Sequence, residues 1–218
     1  MKLLAVSDVE VGFLYSPMIC DKFQDIDLLF SCGDLPYYYV EYMLTMLNIP
    51  CYYVRGNHSS AVEYGYSSTR KSPLGAVDLH KRCVEDETGL LVAGLEGCLR
   101  YNPGAHQYTQ AEYWNMVFYL VPRFFYNKAF LGRYLDIFIA HAPPWQIHDE
   151  NDLPHRGIKA FRWLINVFQP RYFLHGHIHV YRMDTITQTT IGKTAVVNVF
   201  GYKVLPIDTP RVRSWQRK

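Results

Sequence analysis

Three short apolar runs in the first part of the chain each end in small or polar residues, and this repeated form constrains the fold more than any other feature. Leu3 to Val6 runs into Ser7-Asp8-Val9-Glu10, Leu28 to Phe30 into Cys32-Gly33-Asp34, and Cys51 to Val54 into Arg55-Gly56-Asn57-His58. Apolar runs this short, without alternation, suit strands buried on both faces, with loops at their carboxyl ends. Between the second and third runs, Val40, Met43, Leu44 and Leu47 fall at i, i+3, i+4 and i+7, which predicts an amphipathic helix stopping near Asn48-Ile49-Pro50. Strand, helix and strand with short connections make a βαβ unit, hence a sheet covered by helices.

The same form returns in the last third. Leu135 to Ala140 predicts a strand ending in His141-Ala142-Pro143-Pro144. Ile158, Phe161, Leu164, Ile165 and Phe168 predict a helix closed by Pro170, and Tyr172 to Leu174 leads into His175-Gly176-His177-Ile178-His179. Met183 to Thr190 and Thr194 to Phe200 alternate around Ile191-Gly192-Lys193, a hairpin pattern. In the middle, Leu90 to Leu95 reads as another buried strand, and Thr109-Gln110-Ala111-Glu112 matches a capping box opening an aromatic helix that Pro122 should end or kink. Residues 59–88, with Gly65, Ser67-Ser68, Pro73 and Gly75, read as a polar loop excursion. Five polar clusters at strand ends would converge on one rim of a sheet, where open α/β folds bind ligands.

With 218 residues, 49% hydrophobic and 19% charged, the chain is globular, and its length suits one α/β domain over residues 1–218. A formal net charge of +2 gives no electrostatic case for nucleic acid as a partner. No apolar run approaches the ~18 residues of a membrane span. Met1 to Asp8 reaches an acidic residue too early for an export signal, and five scattered cysteines without a CxxC pair are expected to be reduced, so the expected location is cytoplasmic. Eighteen tyrosines exceed what a core needs, so some should line a pocket or an interface.

Each polar cluster is weak alone, because an Asp after a strand is commonly a cap and Gly-Asn a turn. Together they offer three carboxylates (Asp8, Glu10, Asp34), the Asn57 amide oxygen, four imidazoles (His58, His141, His177, His179) and no thiolate. Oxygen and imidazole donors suit Mn²⁺, Fe or Zn. Two ions ~3.5–4 Å apart need a bridging carboxylate and further ligands on each, which this inventory supplies. On an extended strand His177 and His179 would point to the same side, toward two different ions.

The order Asp8-Val9-Glu10, Gly33-Asp34, Gly56-Asn57-His58, His141 and Gly176-His177-Ile178-His179 resembles the calcineurin-like metallophosphoesterase superfamily, whose signature is DxH, GD, GNH, a lone His and GHxH. The resemblance spans residues 8–179 and implies an α/β fold, a four-layer α/β/β/α sandwich of two mixed β-sheets flanked by helices. It implies two divalent or mixed-valence metal ions, Mn or Fe with Zn as the alternative. Asp34 would bridge them, Asp8 and His179 would complete one shell, and Asn57, His141 and His177 the other. His58 would stand off the metals as the catalytic acid, while a metal-activated hydroxide attacks phosphorus in line.

Three positions qualify the resemblance. Glu10 stands where the family has His; it is expected to ligate a harder ion, or else to lie in the surroundings of the site. Ser59 replaces the acidic residue that often follows GNH, which leaves the partner of His58 open. Tyr37, three residues beyond Asp34, matches the GDxxY spacing of purple acid phosphatases, where the Tyr ligates ferric iron; Pro36-Tyr37 is equally a helix start.

Asp34 is followed by Leu35-Pro36 rather than Asp-Arg-Gly, which argues against phosphoprotein substrates and leaves a small phosphodiester or phosphomonoester. Arg55, Tyr37 and His148 are the candidate substrate contacts, with His106, His155 and Arg156 behind them. A nuclease would need a basic track, and Arg211 to Lys218 offers one. A non-catalytic interaction module with the same fold is the remaining alternative. The aromatic segment 113–130 is expected either to be buried or to form a homo-oligomer surface or a wall beside the site.

Overall fold

The first apolar run forms β1 (Lys2–Ser7), and its two faces enter two different cores. Leu3 and Ala5 point one way, Leu4 and Val6 the other, and all four are fully buried. The computed structural model describes residues 1–65 and 69–208. Along the chain β1 is followed by α1 (Met18–Lys22), β2 (Leu28–Ser31), α2 (Tyr37–Leu47), β3 (Cys51–Tyr53), β4 (Ala76–Asp78), β5 (Arg82–Glu85) and β6 (Leu91–Leu95). Then come α3 (Gln110–Leu131), β7 (Ile137–Ala140), α4 (Lys159–Phe168), β8 (Tyr172–His175), β9 (Gln188–Ile191), β10 (Thr194–Asn198) and β11 (Gly201–Pro206).

One sheet has the order β11-β1-β2-β3-β4 and the other β9-β10-β8-β7-β6-β5. The central strands are parallel, and β11, β9 and β5 pair antiparallel at or near the edges. Three apolar clusters separate four layers. Leu3, Phe30, Ile137, Ile139 and Leu174 lie between the sheets; Leu4, Leu29, Tyr39 and Met43 pack α1 and α2 on the first sheet; Phe138, Phe161, Leu120 and Phe124 pack α3 and α4 on the second. The architecture is the four-layer α/β/β/α sandwich of two mixed sheets that the sequence suggested.

Local signals held where they were local. The Thr109–Glu112 capping box is formed, with Glu112 N–H donating to Thr109 and the Glu112 carboxylate accepting from Thr109 N–H. Asn48 ends α2 in the left-handed conformation, and Gly192 turns the β9–β10 hairpin, in which Ile191 faces Thr194. Two expectations are corrected. Pro122 does not end α3, which runs on to Leu131; Pro122 lies on an exposed part of the helix, and the packing of the opposite face through Leu120 and Phe124 carries the helix past the one backbone hydrogen bond a proline removes. The supposed loop at 59–88 contains β4 and β5, each joining a sheet edge, because polar edge strands lack the apolar run that marks a central strand. The basic tail 211–218 and Ser67-Ser68 lie outside the described residues.

Candidate metal centre

Strands parallel within each sheet deliver the predicted clusters to one rim: β1 leads to Asp8, β2 to Asp34, β3 to Asn57, β7 to His141 and β8 to His177. The centre of the arrangement is His141 Nε2. It lies 3.1 Å from Asp34 Oδ2, 3.0 Å from Asn57 Oδ1 and 3.1 Å from His177 Nδ1. His141 is completely buried and His177 nearly so.

The outer contacts decide which atoms carry protons. His141 Nδ1 is 2.9 Å from Cys32 O and His177 Nε2 is 2.9 Å from Pro154 O; both must donate there, because a carbonyl only accepts. Asn57 Nδ2 donates to the Tyr101 hydroxyl at 3.2 Å, which turns Oδ1 inward. Four lone-pair sites on Asp34, Asn57, His141 and His177 therefore converge, and one positive charge satisfies them all. Asp34, His141 and His177 offer ligand atoms within 4.8 Å of one another. Carboxylate, amide oxygen and imidazole with no thiolate suit a borderline or hard divalent ion.

The ionisation of these groups follows from the same crowding. Burial pushes the Asp34 carboxyl up, but the His141 charge and hydrogen bond, with His58 N–H, outweigh it and hold it at about 2. Burial pushes His141 down, yet Asp34 and Asp8 raise it to about 9, so a proton on this ring stands where a metal cation would. Burial and the His141 charge lower His177 to about 3. Burial raises Asp8, whose two oxygens both accept His177 N–H at 3.1 Å.

The backbone is committed to this geometry. Asp8, Asp34 and His177 have φ of 64°, 54° and 67°, a left-handed conformation uncommon for residues with a side chain and concentrated at functional sites. Gly33 is required, because a Cβ there would lie 2.6 Å from Gly56 N and 2.7 Å from His141 Nδ1.

Not every predicted residue joins. The chain leaves the strand at His175 and turns, with Ile178 N–H donating to Gly176 O at 2.8 Å. His177 and His179 consequently do not project side by side as an extended strand would have them. His179 is exposed, 2.8 Å from the Tyr181 hydroxyl and packed on Phe200. Glu10 is exposed and accepts the Tyr38 hydroxyl at 2.6 Å. Asp8 thus adjoins the centre while Glu10 and His179 stand apart from it. Tyr37 is turned away from Asp34: its hydroxyl donates to Ser60 O at 2.7 Å and accepts from Arg55, geometry that speaks against both metal ligation and substrate contact. Arg55 is spent on Asp78, Glu96 and Tyr53, and His148 on His175 and Thr189, so neither presents a free group to a substrate. His58 is exposed; its N–H donates to Asp34 Oδ1 at 2.8 Å, and among the described residues its ring makes no hydrogen bond. Ser59 accepts Gly56 N–H at 2.9 Å and so shapes the loop without touching the His58 ring.

Sequence reasoning missed Tyr101, which no local signal marks, and Glu96. Glu96 ends β6 in the same form as the other clusters, an apolar run closing in a polar residue and Gly97. It is buried, bonded to His106 at 3.0 Å and the Tyr108 hydroxyl at 2.6 Å, and held at about 2 because these contacts and His80 outweigh its burial. Gly97 N–H donates to Arg55 O at 2.8 Å, tying this network to the Asn57 loop.

Parallel strands, a rim of convergent metal donors and a buried histidine pair define a candidate metal centre in an α/β/β/α sandwich. The family model described as calcineurin-like phosphoesterase matches residues 1–181, and the chain belongs to that family. Membership makes the coarse assignment a metal-dependent phosphoesterase. A search of curated proteins gave no significant match. One solved structure is 15% identical over 94% of this chain and 94% of its own, with a TM-score of 0.62. The protein TT1561 of Thermus thermophilus is 17% identical over 92% of this chain and 89% of its own, with a TM-score of 0.58. These likenesses show the fold alone. No helix among the described residues is long and apolar enough to cross a membrane.

Proposed function

We propose that the chain hydrolyses a small phosphodiester or phosphomonoester, with Asp34, Asn57, His141 and His177 holding a divalent ion, Mn, Fe or Zn. The observation that carries this reading is the convergence of Asp34 Oδ2, Asn57 Oδ1 and His177 Nδ1 on His141 Nε2, at 3.0–3.1 Å, where one positive charge, a proton on His141 or a bound ion, is needed to satisfy all four atoms. An ion held there would supply Lewis acidity, acidifying a water and neutralising charge that develops on a phosphoryl oxygen. Asp34 works with both oxygens: Oδ2 faces the centre and Oδ1 accepts His58 N–H, which fixes the loop carrying the acid. The exposed His58 ring is free to protonate the leaving oxygen. Asp8, Glu10 and His179 would hold a second ion only after Glu10 leaves Tyr38 and His179 leaves Tyr181, so no step is assigned to one.

The test is turnover of bis-p-nitrophenyl phosphate and of the monoester by protein stripped of metal and reloaded with Mn²⁺. Activity that returns with the ion supports the reading, and the ratio of the two rates identifies the ester class. Metal bound stoichiometrically with neither ester turned over overturns it. That outcome favours the non-catalytic module, to which the engaged positions of Glu10 and His179 lend support.

A further inference from the structure

The outward faces of α3 and α4 combine exposed aromatic rings with charge that is basic beyond the first turn of α3, where Glu112 is paired with Arg100. On α3, Phe118, Tyr119, Phe125, Tyr126 and Phe130 are 50–70% exposed, whereas Tyr113, Val117, Leu120 and Phe124 on the opposite side are buried in the core. Trp114 stacks on Phe118 at 5.5 Å, and Trp163 of α4 meets the same ring at 5.4 Å, so the stripe continues onto the neighbouring helix. Contiguous aromatic surface of this kind on a folded chain marks an interaction site.

The charges point to the partner. Residues 113–135 and 157–173 contain six Arg or Lys and no Asp or Glu, in a chain with 22 basic and 20 acidic residues overall. Arg133 and Arg171 are answered by Asp136, which leaves Arg123, Lys128, Lys159 and Arg162 on this side. The Arg123 guanidinium lies over the Tyr126 ring at 5.0 Å and the Lys128 ammonium over Tyr134 at 5.4 Å, so cation and aromatic ring share one exposed surface.

We propose that this face docks on an anionic lipid bilayer, with α3 lying in the headgroup plane. Aromatic rings partition to the interface between headgroup and acyl chain, and Arg and Lys meet lipid phosphates. Self-association fits less well, because packing the face against its own copy would bring basic groups together, and the one carboxylate of α3, Glu112, is already paired with Arg100. Nucleic acid fits less well, because the cations are scattered among phenylalanines rather than set in a track. The docked face is tied to the metal centre: the Gln110 side chain at the start of α3 bonds Gly157 O and Lys159 N–H, and that loop carries Pro154, the partner of His177.

The experiment is co-sedimentation of the full chain with phosphatidylcholine vesicles, with and without phosphatidylglycerol. The protein should pellet with the anionic vesicles only, and less at high salt. Arg123→Glu with Lys128→Glu should lower the partition by at least roughly fivefold. Tyr119→Ser with Phe130→Ser should lower it as well, with circular dichroism and Mn²⁺ binding unchanged, since all four side chains are exposed. Failure to pellet, equal binding to neutral vesicles, or variants that bind like the parent would overturn the proposal. So would a dimer, seen by light scattering, that the aromatic substitutions disperse, or retention on DNA in place of vesicles.

Discussion

His141 Nε2 and His177 Nδ1 stand 3.1 Å apart, and each ring has already committed its other nitrogen to a backbone carbonyl, Cys32 O for the first and Pro154 O for the second. Two imidazoles facing each other at this distance need one positive charge between them, which a proton on His141 supplies in the metal-free protein and a metal ion would supply in its place. The carbonyls make that arrangement a property of the fold rather than of one side-chain rotamer.

Tyr101 holds Asn57 in its inward orientation through a 3.2 Å hydrogen bond. Tyr101→Phe removes the acceptor for Asn57 Nδ2 without changing any ligand atom. Mn²⁺ affinity measured by calorimetry should fall about 10–100-fold, as loss of such outer contacts does in other metal sites. An unchanged affinity would mean that Asn57 does not need its orienter.

His58 and Asp34 should separate binding from chemistry. His58→Ala should retain metal and lose ~10²–10⁴-fold in turnover, because a positioned acid contributes about that much. Asp34→Asn should lose metal together with activity, since a neutral amide cannot answer the cation. A His58 variant at full rate would refute its assigned role.

Gly56 leaves no room for a side chain: a Cβ there would meet Asp34 Oδ1 and would lie 2.8 Å from Asp34 N. Gly56→Ala should displace the Asp34 carboxylate, weaken Mn²⁺ binding and destabilise the protein by about 1–3 kcal/mol, the range for overpacking. Gly12→Ala, where nothing lies within 4 Å of the added carbon, is the control and should behave like the parent.

His148 and His175 give the metal-free protein a pH-dependent stability. Burial lowers them from 6.5 to about 4 and about 3. As pH falls below 6.5 the unfolded chain takes up these protons first, so the stabilisation is complete above that pH and is lost from there down to about 4 for His148 and about 3 for His175. Urea midpoints should drop across this window, and His148→Gln should flatten the slope. Midpoints that stay level would show that both rings titrate normally.

Most of the architecture was legible in the chain because its signals are local. Leu28 to Phe30 reads as a buried strand whatever surrounds it, and Thr109 with Glu112 caps a helix within four residues. β4 and β5 were not legible: edge strands are less buried, so Ala76 to Asp78 and Arg82 to Glu85 lack the apolar run. Within the site, Asp34, Asn57, His141 and His177 were foreseeable, whereas Tyr101, Pro154 O and Cys32 O were not, since each orients a ligand from a distant point in sequence.

The sequence by itself determined which residues sit at the ends of parallel strands, and in what order, because strand formation and chain direction depend on nearest neighbours and burial. Only the tertiary structure decided which of them meet. Asp34 and Asn57 come from one sheet and His141 and His177 from the other. Their lone pairs converge because the two sheets pack face to face through Phe30, Ile139 and Leu174. Glu10 and His179 carry equally suitable atoms, but the turns after Ser7 and His175 send them to Tyr38 and Tyr181 instead. A turn's direction depends on what it packs against, and that information is spread over the whole fold.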